Sequence, residues 1–315
     1  FPTFRRYLRA KARALGLERL AWYDLFAPIG AGAREWTYRE ACDFVAEHFG
    51  NYSPKMRDFA LRSFSERWID AEPRAGKVDG AYCSPLRADE SRILMNFKPS
   101  FSSVSTLAHE LGHAYHNLCL NGRTPLQRET PMTLAETASI FCETIVKRAA
   151  VSEGSAEERL AILEGSLQSF CQVVVDITSR FLFETRVFEG RAERNLSPDE
   201  LCEAMLDAQR QTYGGLDPDC LHPYMWAVKP HYYDRYSYYN FPYMFGLLFG
   251  LGLYARYEAE PEAFRASYDD LLSSTGLADA AGLAGRFGID IRTPEFWRGS
   301  LGVIGRDIEE FERAV

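Results

Sequence analysis

The chain has 315 residues, of which 46% are hydrophobic, enough for one large domain or two ordinary ones. The 36 basic and 44 acidic residues give a net charge of -8, and no run is rich in Lys or Arg, which argues against a nucleic-acid-binding protein. The seven cysteines form no CxxC pair, and the most apolar run (241–255) is too short to span a bilayer, so we predict a cytoplasmic protein with reduced thiols and no membrane segment.

The predicted elements are mostly helices. Capping-box pairs, a Ser or Thr followed three residues later by Glu, begin helices after Thr37, Ser155 and Ser197. Between 74 and 101, glycines and prolines interrupt the helical pattern, and residues 91–97 are typical of a short strand. No repeat or linker divides the chain, so we predict a single mostly α domain over residues 1–315 with a small β-sheet. Apolar spacing predicts the remaining helices at 132–150, at 156 to about 194 with Gly165 as its weak point, and near 198–213, 243–258, 261–273 and 294–313.

The stretch TLAHELGHAYH (106–116) has the pattern of a zinc-binding helix. His109 and His113 are one helical turn apart, so both imidazoles can bind one Zn²⁺, while Glu110 is angled towards a water molecule as a general base. His116 lies a turn too far along to share the ion, and we interpret it as structural. Gly112 lowers helix propensity, which indicates close approach of a neighbouring element or of substrate.

A catalytic zinc site needs a third protein ligand. The downstream candidates are His116, Glu129, Glu136 and Glu143. Glu136 and Glu143 are the only charged residues from 132 to 146, and a buried carboxylate needs a partner such as zinc. Because an antiparallel return places the start of this helix near the histidines, we predict Glu136 as the ligand and one zinc per chain. Glu143 fits equally well as a structural carboxylate or as an acceptor for a ligand histidine.

Four segments, taken in order, resemble the M3 family of zinc metallopeptidases and specifically its oligoendopeptidase F branch. The resemblance implies a zincin-type helical catalytic domain that hydrolyses internal bonds of short peptides. It implies the same zinc ligands, His109, His113 and Glu136, with Glu110 activating the attacking water. It also implies that the chain is the catalytic part of a longer protein with a further N-terminal lobe. The segments are GAYCSP (80–85), ESRILMNFKPSFSSVSTLAHELGHAYH (90–116), TLAETASIFCET (133–144) and LHPYMWAVKPHYYDRYSYYNFPYMFGLLFG (221–250).

In that family a later histidine and nearby tyrosines face the substrate carbonyl. His231 takes the histidine position, and Tyr236 and Tyr243 match the tyrosines that follow this histidine by five and twelve residues in the family's thimet-oligopeptidase branch. The middle tyrosine position holds Asn240 instead, next to Tyr239. We therefore expect His231 with Tyr236 or Tyr243 to stabilise the oxyanion together with zinc, and Tyr239 to contact substrate.

We expect the substrate peptide to bind in an extended conformation along an edge strand at 91–97. The loop Gly80-Ala81-Tyr82 would cover its other side, and Arg92 is a further candidate contact. An ordinary hairpin is the structural alternative for this region.

Two other functions fit the same residues. A zinc carboxypeptidase would need a cationic pocket for the terminal carboxylate, such as Arg92, Lys229 or Arg235. A peptide-binding fragment would hold short peptides without hydrolysing them, because its second lobe is missing. The sequence leaves the oligomeric state open.

Overall fold

The computed structural model describes residues 1–30, 34–87, 89–233 and 236–315. Helices dominate these residues and are joined by one small sheet, which confirms the predicted mostly α class. The helices are α1 (Pro2–Ala14), α2 (Tyr38–Tyr52), α3 (Pro54–Ser65), α4 (Phe101–Cys119), α5 (Met132–Ala135), α6 (Thr137–Glu153), α7 (Ala156–Cys171), α8 (Ile177–Arg191), α9 (Pro198–Tyr213), α10 (Met225–Val228), α11 (Phe241–Ala259), α12 (Pro261–Ser273), α13 (Ala280–Arg286) and α14 (Pro294–Ala314). The strands are β1 (Ile69–Asp70), β2 (Tyr82–Arg87) and β3 (Glu90–Leu94).

The chain divides into two compact units. The first unit contains Phe1–Ala31, Leu163–Phe245 and Ile304–Val315, and the second contains Gly32–Ile162 and Gly246–Val303. Each unit is assembled from separated segments, so no single linker marks a boundary along the sequence. The single domain expected over 1–315 stays a prediction.

In the second unit, helix α4 is held by its apolar face. Leu107, Leu111 and Ala114 are fully buried, as their helical spacing predicts. At Gly112, an added Cβ would lie 2.7 Å from the Cα of Ser139 on α6. The glycine therefore permits the close contact of α4 with α6 that its low helix propensity indicated.

The sheet corrects one expectation. Its strand order is β1-β3-β2, with β1 parallel and β2 antiparallel to β3. The prediction of an edge strand at 91–97 is wrong, because the amides of Met95 and Phe97 donate to the carbonyls of Asp70 and Ala71 while β2 pairs along the other side. In the part of the chain that the structure describes, β3 is the central strand and β1 and β2 are the edge strands.

The predicted long helix begins at Ala156 and ends at Arg191, and it is interrupted elsewhere than expected. It continues through Gly165, whereas a π-helical segment, Gln172–Asp176, separates α7 from α8. By length and composition this helix could cross a membrane, but 56% of its most apolar window is buried within the protein, as in a core helix. The predicted helices at 198–213 and 261–273 are confirmed at both ends.

Candidate metal centre

Three of the predicted site residues meet in the second unit. The Nε2 atoms of His109 and His113 lie 3.2 and 3.3 Å from Oε2 of Glu136. One donor atom from each residue falls within 4.8 Å of the other two. Two imidazole nitrogens and one carboxylate oxygen are the donor set of a catalytic zinc site, so these residues fit a zinc ion.

The backbone brings Glu136 to the histidines by breaking a helix. The sequence predicted one helix over 132–150, but α5 ends at Ala135 and Glu136 adopts φ -88° and ψ 8° before α6 begins. This sparsely populated conformation is frequent at active sites. Two neighbours fix the side chain: Ser139 Oγ donates to Glu136 Oε2 at 2.5 Å, and at Gly246 on α11 an added Cβ would lie 2.9 Å from Cβ of Glu136.

Glu143 orients the first histidine. Its Oε2 lies 3.0 Å from Nδ1 of His109, the ring nitrogen that faces away from Glu136. Its Oε1 accepts from Ser105 Oγ at 2.9 Å and pairs with Nζ of Lys147 at 2.6 Å. Although burial raises the pKa of Glu143, Lys147 and His109 outweigh it and hold that pKa well below its usual range. An ionised carboxylate on the second nitrogen of a ligand histidine is the usual support of a zinc site.

The charges of the cluster favour a cation. Burial disfavours a charged His109, but the carboxylates of Glu136 and Glu143 outweigh burial and raise the pKa of His109 to about 10. Burial also disfavours the charged form of Glu136 and so raises its pKa, but hydrogen bonds with His109 and His113 hold this pKa far below its usual range. Two carboxylates beside one imidazole therefore favour positive charge at this point.

Glu110 is buried next to these residues with spare acceptor capacity. Its side chain is 4% exposed, and Oε2 has no hydrogen-bond partner among the described residues. Burial raises the pKa of Glu110, partly opposed by His109 and His113. A buried carboxylate oxygen without a partner is costly, so the position suits a water molecule or a proton in transfer.

His116 belongs to the core and not to this cluster. Its Nε2 lies 2.8 Å from Oγ1 of Thr275 and 3.2 Å from the carbonyl oxygen of Leu272. Burial lowers the pKa of His116 to about 4. The structural interpretation of this histidine agrees with these contacts.

The expected substrate loop lies beside the sheet. Gly80 has φ 86°, which only glycine adopts readily, and its carbonyl accepts from Nδ2 of Asn96 at 3.4 Å. Ala81 leads into Tyr82, the half-exposed first residue of β2. Arg92 is exposed and donates to Glu90 Oε2 at 3.2 Å.

The predicted histidine and tyrosines of the later motif belong to the first unit. The rings of His231 and Tyr239 are stacked, with their centroids 5.2 Å apart. The ring centroids of Tyr239 and Tyr243 lie 6.1 Å apart. Tyr236 and Tyr243 are 57% and 40% exposed. The structure therefore brings His231, Tyr239 and Tyr243 together.

Asn240, at the middle tyrosine position, contacts helix α8. It is buried, and its Oδ1 accepts from Nη1 of Arg180 at 2.8 Å. Of the cations considered for a carboxylate pocket, Lys229 lies 3.9 Å from Oδ2 of Asp176, and Arg235 falls outside the described residues.

Several residues of the site were missed by sequence reasoning. Ser139 follows Glu136 by three residues, a helical spacing that could have identified it. Gly246 acts through a contact that is distant in sequence, and no local pattern marks it.

Comparison with known proteins gives consistent matches over the chain. The family model described as Peptidase family M3 matches residues 1–303. Oligoendopeptidase F (chromosomal) of Lactococcus lactis subsp. cremoris is 25% identical over 320 residues, covering 100% of this chain and 52% of the relative. Oligopeptidase PepF of Bacillus subtilis is 26% identical over 319 residues, covering 99% and 47%. The crystal structure of oligoendopeptidase-F from Enterococcus faecium superposes with a TM-score of 0.68 at 20% identity, covering 99% of this chain and 50% of that one. The chain spans about half the length of the curated relatives it matches.

Proposed function

Because the chain belongs to peptidase family M3, we propose that it is the catalytic part of a zinc endopeptidase that hydrolyses internal bonds of short peptides in the cytoplasm. One observation carries the proposal: His109, His113 and Glu136 bring their donor atoms within 4.8 Å of one another, with Glu110 buried beside them. The cytoplasmic location is supported by the cysteines, all seven of which are free.

The residues divide the work of hydrolysis. His109, His113 and Glu136 would hold one zinc ion, which supplies a Lewis acid that polarises the peptide carbonyl and acidifies the attacking water. Glu110 takes the proton from that water through Oε2, the oxygen without a partner among the described residues, and returns it to the departing amine. Glu143 keeps the ring of His109 in the ligating orientation.

We assign oxyanion stabilisation to His231 and to the hydroxyl of Tyr236 or Tyr243. The support is the family motif together with the contacts that the ring of Tyr239 makes with His231 and with Tyr243. Each would donate a hydrogen bond to the developing negative charge. Loss of one such donor typically lowers kcat by about 100- to 1,000-fold.

We propose that the substrate pairs with β2 instead of β3. In the described residues β2 is hydrogen-bonded only on its β3 side, so its other edge can accept an extended peptide. Pro85 lacks an amide hydrogen and begins the register shift that ends at Arg87, which limits this pairing to the part of the chain before it. Asn96 supports that part by donating to the carbonyls of Val78 and Gly80 at 2.9 and 3.4 Å.

The test uses an end-blocked peptide, which an exopeptidase cannot cleave. Wild-type protein loaded with zinc should release internal fragments, identified by mass spectrometry. Glu110→Gln should keep its zinc and lose turnover, whereas Glu157→Gln, an exposed carboxylate on α7, should match wild type. Full turnover by Glu110→Gln would reject the assigned base.

The same assay separates the two alternatives. Cleavage confined to peptides with a free C-terminus would favour the carboxypeptidase. The contacts of two candidate cations argue against it, because Arg92 is already paired with Glu90 and Lys229 faces Asp176. Zinc-dependent peptide retention without any product would favour the binding fragment.

A further inference from the structure

Helix α8 presents two buried polar side chains to the tyrosine segment, residues 236–240. Arg180 and Glu184 are only 8% and 9% exposed and lie one helical turn apart. Nη1 of Arg180 donates to Oδ1 of Asn240 at 2.8 Å. Oε1 of Glu184 accepts from the amide of Tyr238 at 2.7 Å. Both contacts therefore bind the same short stretch of backbone to α8.

The conformation of Tyr238 requires such support. Its φ is 56°, in the left-handed region that residues with a side chain rarely adopt. Its ring packs against those of Phe181 and Phe188, with centroid distances of 5.1 and 5.5 Å. Phe181, Glu184 and Phe188 share one face of α8, so the helix holds both the ring and the amide of Tyr238. A strained backbone of this kind persists only where its surroundings fix it.

The π-helical segment before α8 supplies the counter-charge for Arg180. Asp176 is the last residue of that segment, and its Oδ2 accepts from Nε and Nη2 of Arg180 at 2.8 and 2.5 Å. A buried guanidinium needs such a partner, and pairing through two nitrogens leaves Nη1 to reach Asn240. Asp176, Arg180 and Asn240 thus form one chain of contacts from the π segment to the tyrosine segment.

From these contacts we infer that Arg180 and Glu184 are positioning residues: they fix the backbone of residues 236–240 and thereby the rings of Tyr236, Tyr239 and Tyr243. The inference rests on the proposed function, in which these rings and His231 act on the substrate. Asn240 serves here as the attachment point for Arg180. Displacing a catalytic group by about 1 Å can lower a rate by about 100-fold, so the positioning role should appear in kcat.

The experiment compares variants of α8 and of the segment it holds. Glu184→Leu removes the acceptor for the Tyr238 amide, whereas Glu184→Gln keeps a carbonyl oxygen there. Arg180→Met removes the donor to Asn240 but also removes the guanidinium paired with Asp176, and can unfold the protein. Asn240→Leu therefore tests the same contact while keeping the Arg180–Asp176 pair. The matched control is Arg186→Met, which changes another residue of α8 and breaks its exposed ion pair with Asp207 on α9.

We expect Glu184→Leu and Asn240→Leu to lower kcat on the end-blocked peptide by about 10- to 100-fold, with KM within about threefold and zinc content unchanged. Glu184→Gln should restore kcat to within about threefold of wild type, and Arg186→Met should match wild type. A general loss of packing would not distinguish Gln from Leu at position 184 in this way.

The inference is overturned if Glu184→Leu and Asn240→Leu retain wild-type kcat, if KM carries the loss, or if Glu184→Gln is as impaired as Glu184→Leu. Failure of the proposed function looks different. Full turnover by zinc-loaded Glu110→Gln rejects the assigned base, while a kcat loss in Glu184→Leu that Gln restores still supports the positioning role. Inactive Glu110→Gln and His231→Asn beside fully active Glu184→Leu and Asn240→Leu would uphold the peptidase and reject the positioning role.

Discussion

Gly112→Ala tests whether the close contact of α4 with α6 sets the geometry of the metal centre. The added Cβ would lie 2.7 Å from Cα of Ser139 and 2.8 Å from the carbonyl oxygen of Ala138. Both are backbone atoms, so neither can rotate away. Reaching an ordinary contact of 3.4 Å from 2.7 Å requires the two helices to separate by about 0.7 Å.

That separation exceeds what a zinc site tolerates. Metal–ligand distances hold within about 0.2 Å, and the histidines lie on α4 while Glu136 precedes α6. We therefore expect zinc affinity to fall by at least about 10-fold, measured by competition with a chelator. The cost to folding is smaller, because overpacking costs about 1–3 kcal/mol while alanine gains about 1 kcal/mol of helix propensity. We expect a net loss of about 0–2 kcal/mol in urea denaturation.

Gly165→Ala is the matched control. Gly165 also lies within a helix, but an added Cβ there would meet nothing within 4 Å. This variant should gain about 0.5–1 kcal/mol of stability and bind zinc as wild type does. If Gly112→Ala binds zinc with wild-type affinity and gains stability as Gly165→Ala does, the link between helix contact and ligand geometry is refuted.

Three further outcomes are expected. Glu143→Ala should weaken zinc binding by about 10- to 100-fold because His109 loses the carboxylate that orients it; unchanged chelator competition would contradict this. Ser139→Ala removes the hydroxyl that donates a hydrogen bond to Glu136 and should weaken zinc binding by about 10-fold in the same assay. Wild-type affinity of this variant would contradict the prediction. Burial lowers the pKa of His116 to about 4, against about 6.5 in the unfolded chain, so its contribution to stability is complete above pH 6.5 and is lost as the pH falls through 4. This loss is about 3 kcal/mol, and His116→Gln should remove it from the pH dependence of urea denaturation; an unchanged dependence would argue against it.

The local parts of the site could be predicted from the sequence. The helical spacing of His109 and His113, and the isolated charge of Glu136 in an apolar helix, both follow from short-range periodicity, and the structure brings the three together. The helix break at Glu136 was not predicted, since no glycine or proline marks it and contacts with Ser139 and Gly246 fix it instead.

The parts that depend on distant pairing were missed. The sequence predicts an edge strand at 91–97 because β1 is only two residues long, too short to leave a strand pattern. The π segment at 172–176 was missed for a related reason. Helical periodicity is the same on both sides of it. Gly165 has the lowest helix propensity nearby, so the sequence predicts the interruption there instead.

Zinc content is the most direct test of the central claim, that His109, His113 and Glu136 form the metal centre. Wild-type protein purified with zinc and desalted should contain one zinc per chain by elemental mass spectrometry. Glu136→Gln should lose most of that zinc, whereas Glu129→Gln, which alters the other candidate carboxylate before α5, should keep it. Zinc retained by Glu136→Gln and lost by Glu129→Gln would contradict the assignment.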